Sequence, residues 1–321
     1  MSKIRDLLDL LNAEDYVYIQ THDFPDHDAV SSAYGLQHLL KSCGIVSYMI
    51  YEGEIYHYNL LGLIARLEIS IAPASLSLQT IRKADKIIVV DGCKGNSNVT
   101  SLGGNVSAVI DHHESAPPKD IRFTDIRVDY GACSTIIFSY YHELEMRIPS
   151  SVATALMVGL LVDTALMTRS VSGADIEAYT SLYSISDVKL VNSILRNRLR
   201  KENLTVYREA IDRVRIQDRF AFCYLPSGCE EYLLGIIGDF FLSLTEVDFT
   251  VLCARNNDKV SLSLRSEAEQ WNAAQIAGEL LKGIGFGGGH SEMAGGRVED
   301  FRNFNEEEIF IRTLQILSSS K

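Results

Sequence analysis

The chain has 321 residues, of which 46% are hydrophobic and 22% charged, a composition typical of a globular protein long enough for two domains. Its 30 basic and 42 acidic residues give a formal net charge of -12, which argues against the broad basic face that binds duplex DNA. Apolar runs all fall short of the roughly 20 residues that span a bilayer, and the start of the chain lacks a signal-peptide core. We therefore expect a cytoplasmic protein with no membrane partner.

The first part of the chain alternates apolar, strand-like runs with helical patterns. Strands are predicted at residues 16–20, 46–51, 86–90 and 106–110, and helices at residues 6–12, 31–40, 60–65, 132–144, 152–167 and 175–183. The continuous apolar run at 86–90 is typical of a strand covered on both faces. This alternation predicts an α/β domain with a doubly wound, mostly parallel sheet, in which ligands gather beyond the carboxyl ends of the strands.

A charged segment marks the predicted domain boundary. Residues 192–215 are rich in arginine, and we interpret them as a solvated helical connection. Beyond it, strands are predicted at residues 220–225, 233–237, 249–255 and 260–265, helices at residues 272–281 and 306–317, and a glycine-rich loop between these helices. We predict a metal-binding catalytic domain over residues 1–190, a helical linker over 191–218, and a smaller α/β substrate-binding domain over 219–321.

Ionisable side chains cluster where predicted strands end. Residues 21–28, Thr-His-Asp-Phe-Pro-Asp-His-Asp, follow the first strand, and Asp91 and His112 follow two others. Asp163 lies on an otherwise apolar helix face, where a carboxylate is costly unless it is paired or bound to a cation. The candidate metal ligands are His22, Asp26, Asp28, Asp91, His112 and Asp163. We expect Asp23 to cap the following turn and His27 to be exposed.

The chemistry of these side chains indicates which metal they bind. Mixed imidazole and carboxylate ligands with oxygen predominating suit a pair of divalent cations, Mn²⁺ with Mg²⁺ or Co²⁺ as alternatives, better than a thiolate zinc site. Asp91 is the candidate to bridge the two ions. Two ions roughly 3.5–4 Å apart would clamp a phosphoryl group and produce hydroxide near neutral pH. The sequence therefore predicts a phosphoesterase.

The same residues resemble the motifs of the DHH phosphoesterases, in the branch that carries a DHH-associated C-terminal domain. The matching pieces, in the order of the family, are His22-x3-Asp26-x-Asp28 with Pro25, Val90-Asp91, Asp111-His112-His113, Asp163-Thr164, and Gly287-Gly288-Gly289-His290 followed by Ala294-Gly295-Gly296. Two positions depart from the common pattern: His27 replaces a glycine, and Ala165 stands where a glycine commonly follows Asp-Thr.

The resemblance implies a role for each motif residue. One ion would be held by His22, Asp26 and Asp91, and the other by Asp28, Asp91, His112 and Asp163. His113 would face the substrate phosphate, and Asp111 would orient the histidine pair.

The C-terminal motif has a physical logic of its own. Glycines let backbone amides approach a phosphate closely, and His290 can add a hydrogen bond or a positive charge. By resemblance, this loop and Arg265-Ser266 form the platform for the end of the nucleotide distal to the scissile bond, where Arg265 would grip phosphate. The predicted substrate-binding residues are Arg265, Ser266, Gly287, Gly288, Gly289 and His290.

The chain is similar to the short family members, the oligoribonucleases and 3'-phosphoadenosine-5'-phosphate phosphatases. This similarity implies that metal-activated hydroxide hydrolyses short RNAs, dinucleotides or 3'-phosphoadenosine-5'-phosphate. The substrate would lie between the two domains, and the sequence leaves a homodimer open. Two alternatives of the same class are a cyclic-dinucleotide phosphodiesterase and a polyphosphate or pyrophosphate hydrolase, although polyphosphate would require a longer basic track. The alternative from another class is a non-catalytic, nucleotide-binding regulatory module, which retention of the acidic ligands argues against.

Overall fold

The computed structural model describes residues 3–76, 81–196 and 199–319, and it divides the chain into two compact units, Met1–Arg198 and Leu199–Lys321. Each unit has a six-stranded sheet with helices packed on it. The predicted class, an α/β domain with a parallel sheet followed by a second α/β domain, is confirmed.

The sheet of the first unit is parallel at every pairing between its strands. Its strands are β1 (Tyr16–Thr21), β2 (Val46–Tyr51), β3 (Ile71–Pro73), β4 (Lys86–Val90), β5 (Asn105–Asp111) and β6 (Phe123–Ile126). Their spatial order is β3-β2-β1-β4-β5-β6, so the direction of winding reverses between β1 and β4. Thr21 pairs with Val90 at this point, and the residues that follow both strands meet at the edge where ligands bind in such sheets.

Helices of the first unit bury the larger of its two hydrophobic clusters. They are α1 (Lys3–Leu11), α2 (His27–Ser42), α3 (Tyr58–Arg66), α4 (Cys133–Glu143), α5 (Ser150–Asp163), α6 (Gly173–Tyr183) and α7 (Val188–Arg196). One set of alternate strand residues, including Ile19 and Ile88, packs in this cluster, and the other set, including Tyr18 and Ile87, packs in a smaller cluster on the opposite face. Strands β1, β4 and β5 are therefore covered on both sides, as their apolar sequences indicate.

The second unit has a mixed sheet. Its strands are β7 (Arg215–Gln217), β8 (Phe220–Leu225), β9 (Phe249–Asn256), β10 (Lys259–Ser266), β11 (Gly285–Gly289) and β12 (Met293–Val298), and its helices are α8 (Asn203–Arg213), α9 (Glu231–Leu242), α10 (Ala273–Leu281) and α11 (Glu306–Ser319). The spatial order is β11-β12-β10-β9-β8-β7, and β8 and β9 form the parallel pair among antiparallel neighbours.

The strand predicted at residues 233–237 is wrong, because these residues belong to helix α9. Leu233, Leu234, Ile237 and Phe241 are all buried, and they recur at helical spacing along one side of α9. A five-residue apolar run does not distinguish a buried helix from a strand. Over the longer span of Glu231–Leu242, the spacing of the buried residues is helical.

The predicted glycine-rich loop is also wrong, since Gly285–Gly289 form strand β11 paired with β12. A Cβ atom on Gly285 would lie 2.0 Å from the carbonyl oxygen of Arg297, and one on Gly296 would lie 2.2 Å from Leu281. Glycines are thus required where β11 lies against β12 and where the β11–β12 hairpin packs on α10. His290 follows the strand and donates its backbone N–H to the carbonyl of Met293 at 2.8 Å.

Two helical predictions differ in extent. The helix predicted at 152–167 ends at Asp163, because Ala165, Leu166 and Met167 adopt left-handed φ angles of 46°, 63° and 65°. The segment 192–215, predicted as solvated, includes Ile194 and Ala210, which are buried in hydrophobic clusters. Among the residues that the structure describes, every helix is too short or too polar to cross a membrane.

Candidate metal centre

His22 and Asp26 lie in the turn between β1 and α2. His22 donates its Nδ1–H to the carbonyl of Asp23 at 2.8 Å, so Nε2 presents its lone pair on the other side of the ring. That atom lies 3.8 Å from Asp26 Oδ1 and 3.7 Å from Asp91 Oδ2. Asp26 caps α2, where its Oδ1 accepts the amides of Asp28 and Ala29 at 3.0 Å each. The cap fixes the carboxylate and leaves Oδ2 available to a cation.

Asp91 follows β4 and is 1% exposed. Its φ angle of 56° is in the left-handed region, which is uncommon for residues other than glycine, although aspartate adopts it more readily than most. Its second oxygen, Oδ1, lies 3.4 Å from His112 Nε2. One carboxylate therefore contacts a histidine from the turn after β1 and another from the turn after β5.

Asp111 organises the histidines that follow β5. Its Oδ1 accepts the backbone amides of His112 at 2.9 Å and His113 at 3.2 Å, and lies 2.8 Å from His113 Nδ1. His112 Nδ1 donates to the carbonyl of Tyr130 at 3.1 Å, which directs His112 Nε2 toward Asp91 and Asp163. Both histidines thus have one ring nitrogen fixed by a neighbouring acceptor.

Asp28 lies in the first turn of α2 and is fully buried. Its Oδ2 accepts the amide of Cys133 at 2.6 Å, and its Oδ1 accepts the amide of Ser134 at 2.9 Å, so it binds the N-terminus of α4. The hydroxyls of Ser134 and Ser32 also donate to Oδ1. Gly159 on α5 makes this packing possible, since a Cβ there would lie 2.7 Å from Asp28 Oδ1.

Asp163 is the last residue of α5, and its Oδ2 lies 3.2 Å from His112 Nε2. A carboxylate at a helix C-terminus meets the negative end of the helix dipole, which is unfavourable without a compensating positive charge. Burial and the neighbouring carboxylates of Asp26 and Asp91 raise the pKa of Asp163 to about 6.

All six predicted ligands fall within three overlapping groups, in each of which the potential ligand atoms lie within 4.8 Å of one another. These groups are His22, Asp26 and Asp91; Asp28, His112 and Asp163; and Asp91, His112 and His113. The donors are imidazole nitrogens and carboxylate oxygens, the set that suits manganese-type divalent ions.

The electrostatics of the cluster indicate that a cation is needed. Burial first, and then the charges of Asp91 and Asp163, raise the pKa of Asp28 well above its ordinary value. Burial disfavours a charged His22, but Asp26 and Asp91 outweigh it and raise the pKa of His22 to about 10. Four carboxylates without a cation must take up protons or pair with protonated histidines.

Two buried polar atoms test whether a metal fits. Asp91 Oδ1 and His112 Nε2 make no hydrogen bond to any residue that the structure describes, although both are buried. Such atoms are rare in folded proteins and call for an explanation. A divalent ion coordinated by both would satisfy them, so the residues present fit a metal centre.

The predicted substrate residues of the second unit have different environments. Arg265 is buried, with Nε donating to Asp239 at 2.9 Å and Nη1 donating to Ser263 Oγ at 3.0 Å and the Leu264 carbonyl at 2.9 Å. Ser266 is also buried and donates to the carbonyl of Ala268 at 3.2 Å. In contrast, Gly288, Gly289 and His290 are exposed, and Gly287 is partly exposed.

Two expectations about residues 21–28 are wrong. Asp23 accepts the amide of Thr100 at 3.0 Å and its hydroxyl at 2.7 Å, whereas Asp26 caps the helix. His27 is only 2% exposed, because α2 begins at this residue and its ring packs edge-on against His57 at a centroid distance of 5.3 Å.

Sequence patterns missed the residues that support the ligands. Ser134 and the Tyr130 carbonyl hold Asp28 and His112, yet both are distant in sequence from the side chains that they orient. The aromatic pair of Phe24, which lies within residues 21–28, and Tyr56 was also missed. An aromatic residue inside an otherwise polar motif was the available signal for Phe24.

Comparison with known families gives two matches along the chain. The N-terminal domain of the DHH family matches residues 16–160, and the DHHA1 domain matches residues 217–315. The first match includes every candidate ligand except Asp163, and the second includes the glycine-rich strand and His290.

Similar curated proteins cover most of the chain. An uncharacterized protein of Methanocaldococcus jannaschii, MJ1633, is 27% identical over 93% of this chain and 63% of its own length. The cyclic-di-AMP phosphodiesterase PdeA of Listeria monocytogenes is 23% identical over 92% of this chain and 46% of its own length. The chain thus spans about half to two thirds of these relatives. A probable manganese-dependent inorganic pyrophosphatase of Lactobacillus johnsonii is 27% identical over 52% of this chain and 54% of its own length.

Solved structures share the fold. An exopolyphosphatase-related protein from Bacteroides fragilis has a TM-score of 0.75 at 20% identity, covering 99% of this chain and 96% of that one. RecJ from Thermus thermophilus, solved with Mn²⁺, has a TM-score of 0.58 at 16% identity, covering 98% of this chain and 53% of that one.

Proposed function

The chain belongs to the DHH family, with a DHHA1 domain after the DHH domain, and from that premise we propose that it is a metal-dependent phosphoesterase acting on short nucleotide substrates. The contacts of Asp91 carry this proposal. Its Oδ2 lies 3.7 Å from His22 Nε2 and its Oδ1 lies 3.4 Å from His112 Nε2, so one carboxylate joins two groups of ligands. A carboxylate in this position can bridge two ions.

Two sets of ligands that share Asp91 would each hold one divalent ion. His22, Asp26 and Asp91 would bind the first, and Asp28, Asp91, His112 and Asp163 would bind the second. The manganese in the names of the pyrophosphatase relative and the RecJ structure supports Mn²⁺. When bound, the ions would neutralise charge on a phosphoryl group and lower the pKa of a water molecule.

His113 would contact the substrate phosphate. Burial lowers its pKa, but the hydrogen bond with Asp111 and the charge of Asp91 outweigh burial and raise it overall. A protonated His113, with Nδ1 held by Asp111, would donate its Nε2–H to a phosphoryl oxygen. Asp111 therefore acts as a positioning residue.

Residues of the second unit would bind the distal end of the substrate. β11 is the edge strand of its sheet, so alternate backbone amides point away from β12. Those amides and the exposed His290 would contact a phosphate or a terminal hydroxyl. Arg265 would instead hold α9 against β10, because its guanidinium is bound by Asp239 and Ser263.

The extent of the similarities supports a nucleotide substrate. The match to the cyclic-dinucleotide phosphodiesterase covers 92% of this chain, whereas the match to the pyrophosphatase covers 52%. A net charge of -12 also favours a short substrate with few phosphates. We therefore favour linear dinucleotides, short RNAs or 3'-phosphoadenosine-5'-phosphate, with cyclic dinucleotides as the second candidate.

A substrate panel with added Mn²⁺ tests the proposal. It would compare a linear dinucleotide, 3'-phosphoadenosine-5'-phosphate, a cyclic dinucleotide, a longer RNA and pyrophosphate, with release of mononucleotide or phosphate as the measurement. We expect the first two to be hydrolysed fastest. Faster cleavage of the cyclic dinucleotide would favour the second candidate, and binding without release under any divalent metal would identify a non-catalytic module.

A further inference from the structure

Phe24 lies between two of the candidate ligands, His22 and Asp26, in an unusual conformation. Its φ angle is 54°, in the left-handed region where a bulky side chain is disfavoured. It is two positions along the chain from each ligand, so its Cα lies within about 7.6 Å of theirs. The ring is 51% exposed, so burial does little to offset the conformational cost. Strained residues of this kind cluster at functional sites.

Tyr56 stacks on Phe24 beside the metal centre. The two ring centroids are 5.5 Å apart with an interplanar angle of 13°, and Tyr56 is 50% exposed. About half of each side chain therefore remains accessible. Offset stacking of this kind is a favourable arrangement for aromatic rings, and a third ring can extend it.

The segment that carries Tyr56 is fixed against residues 22–28. The amide of Phe24 donates to the carbonyl of Glu52 at 2.9 Å, and the Phe24 ring packs on Gly53, where a Cβ would lie 2.5 Å from ring atoms. His57 meets His27 in the edge-on contact already described. These contacts hold the aromatic pair in place without a ligand, which limits the entropy lost on binding.

Charge near the pair distinguishes between kinds of ligand. Residues 51–65 include Glu52 and Glu54 but no lysine or arginine. Two carboxylates this close in sequence to Tyr56 would disfavour an extended chain of phosphates more than an uncharged ring. The pair is therefore suited to a nucleobase and unsuited to polyphosphate.

We propose that Phe24 and Tyr56 form an aromatic platform that stacks on the nucleobase of a substrate whose phosphate lies at the metal centre. This inference rests on the proposed function and deepens it, because it requires a substrate that carries a base. The platform would favour nucleotides over pyrophosphate while tolerating different bases, since every base has a π face.

The test compares two substrates that differ only in the base. One is a linear diadenosine dinucleotide, and the other is its abasic analogue, in which hydrogen replaces both adenines. The variants are Phe24→Asn, which removes the ring at a backbone conformation that asparagine tolerates, and Tyr56→Ala. Phe24→Tyr and Tyr56→Phe keep an aromatic ring, and Tyr183→Ala removes a comparably exposed tyrosine from α6.

We expect Phe24→Asn and Tyr56→Ala to lower the ratio of kcat/KM for the dinucleotide to that for the abasic analogue by about tenfold, the scale of one base–aromatic stack. The ring-keeping variants and Tyr183→Ala should leave that ratio within about twofold of the wild type. Thermal melting identifies any variant that fails to fold. If one of the two ring-removing variants does not fold, the other still tests the platform.

Three outcomes would overturn the platform. Equal losses on both substrates would assign the ring pair a structural role and leave the proposed function intact. If Phe24→Tyr lowers the ratio of kcat/KM values as much as Phe24→Asn does, the aromatic ring does not account for the preference for the dinucleotide. Absence of nucleotide hydrolysis by the wild type under any divalent metal would remove the proposed function and this inference together.

Discussion

Asp91 Oδ1 and His112 Nε2 lie 3.4 Å apart, both buried and both without a hydrogen bond to the residues that the structure describes. The two residues come from the ends of neighbouring strands β4 and β5, so sheet pairing brings them together. Buried polar atoms without a hydrogen bond are rare and call for an explanation, and a bound cation would supply one. That relationship is the basis of the predictions for the metal centre.

Asp91→Asn removes the charge of the bridging carboxylate while keeping its shape. We expect kcat to fall by roughly a thousandfold or more, because several kcal/mol of charge stabilisation by the ions are lost. Bound Mn²⁺ per chain, measured by mass spectrometry after gel filtration, should fall from two to one or fewer. Asp120→Asn, at an exposed carboxylate paired with Lys94, should change neither quantity. Wild-type activity in Asp91→Asn would refute the two-ion proposal.

Asp111→Asn changes the acceptor that holds His113 Nδ1 at 2.8 Å. We expect kcat to fall about 10–100-fold, the range seen when a residue that orients a ligand is changed. Because the Asp111 charge contributes to the raised pKa of His113, loss of activity at high pH should begin at a lower pH in the variant. The pH profile of kcat/KM is the measurement, and a profile identical to that of the wild type would exclude this role for Asp111.

Metal binding should release protons. In the metal-free protein the carboxylates of Asp26 and Asp91 raise the pKa of His22 to about 10, so this histidine is protonated near neutral pH. A cation requires the neutral imidazole, so apparent Mn²⁺ affinity should rise with pH until His22 loses its proton. Calorimetric titration in two buffers of different ionisation enthalpy measures the protons released, and a value of zero at pH 7 would contradict the expectation.

The same pKa shift predicts how the metal-free protein responds to pH. A histidine whose folded pKa is raised contributes stability that is fully present below its unfolded pKa of about 6.5. That contribution is lost as pH rises toward about 10, the folded pKa of His22. With chelator present, Tm should therefore decline over this window, and His22→Gln should decline less steeply. Parallel declines in the two proteins would show that other groups dominate.

Gly159→Ala places a Cβ atom 2.4 Å from Ser134 Oγ and 2.7 Å from Asp28 Oδ1. We expect the free energy of unfolding to fall by about 1–3 kcal/mol, the usual result of overpacking a core, with weaker metal binding because Asp28 is displaced. Gly278→Ala, at an exposed position of α10 with nothing within 4 Å, is the matched control. It should stabilise the fold by about 0.5–1 kcal/mol, as alanine does in an exposed helix. Urea denaturation measures both, and equal effects would refute the packing argument.

Arg265→Ala and His290→Ala should separate structural support from substrate contact. Arg265 is buried with hydrogen bonds to Asp239, Ser263 and Leu264, so its loss should lower the free energy of unfolding by about 1–3 kcal/mol. His290 is exposed, so its loss should raise KM and leave Tm unchanged. A raised KM with unchanged Tm in Arg265→Ala would instead support direct contact with phosphate.

The candidate ligands could be predicted from the sequence because their signal is local. His22, Asp91 and His112 each follow an apolar strand, and the carboxyl ends of neighbouring parallel strands meet at one edge. Strand β2 and strand β4 were predicted with the same bounds that the structure has, and each ends where the chain reaches an acidic residue, Glu52 or Asp91. The strand predicted at residues 233–237 was wrong because an apolar window this short does not reveal the helical periodicity of α9.

The sequence by itself determined the α/β class, the positions of the motifs and the kind of chemistry that their side chains favour. Only the tertiary structure decided that Asp28 binds the N-terminus of α4, that the glycines after α10 form an edge strand, that His27 is buried, and that Phe24 stacks on Tyr56. The physical reason is that these features depend on contacts between residues distant along the chain. Local patterns of polarity and propensity specify secondary structure, but they do not specify which surfaces meet.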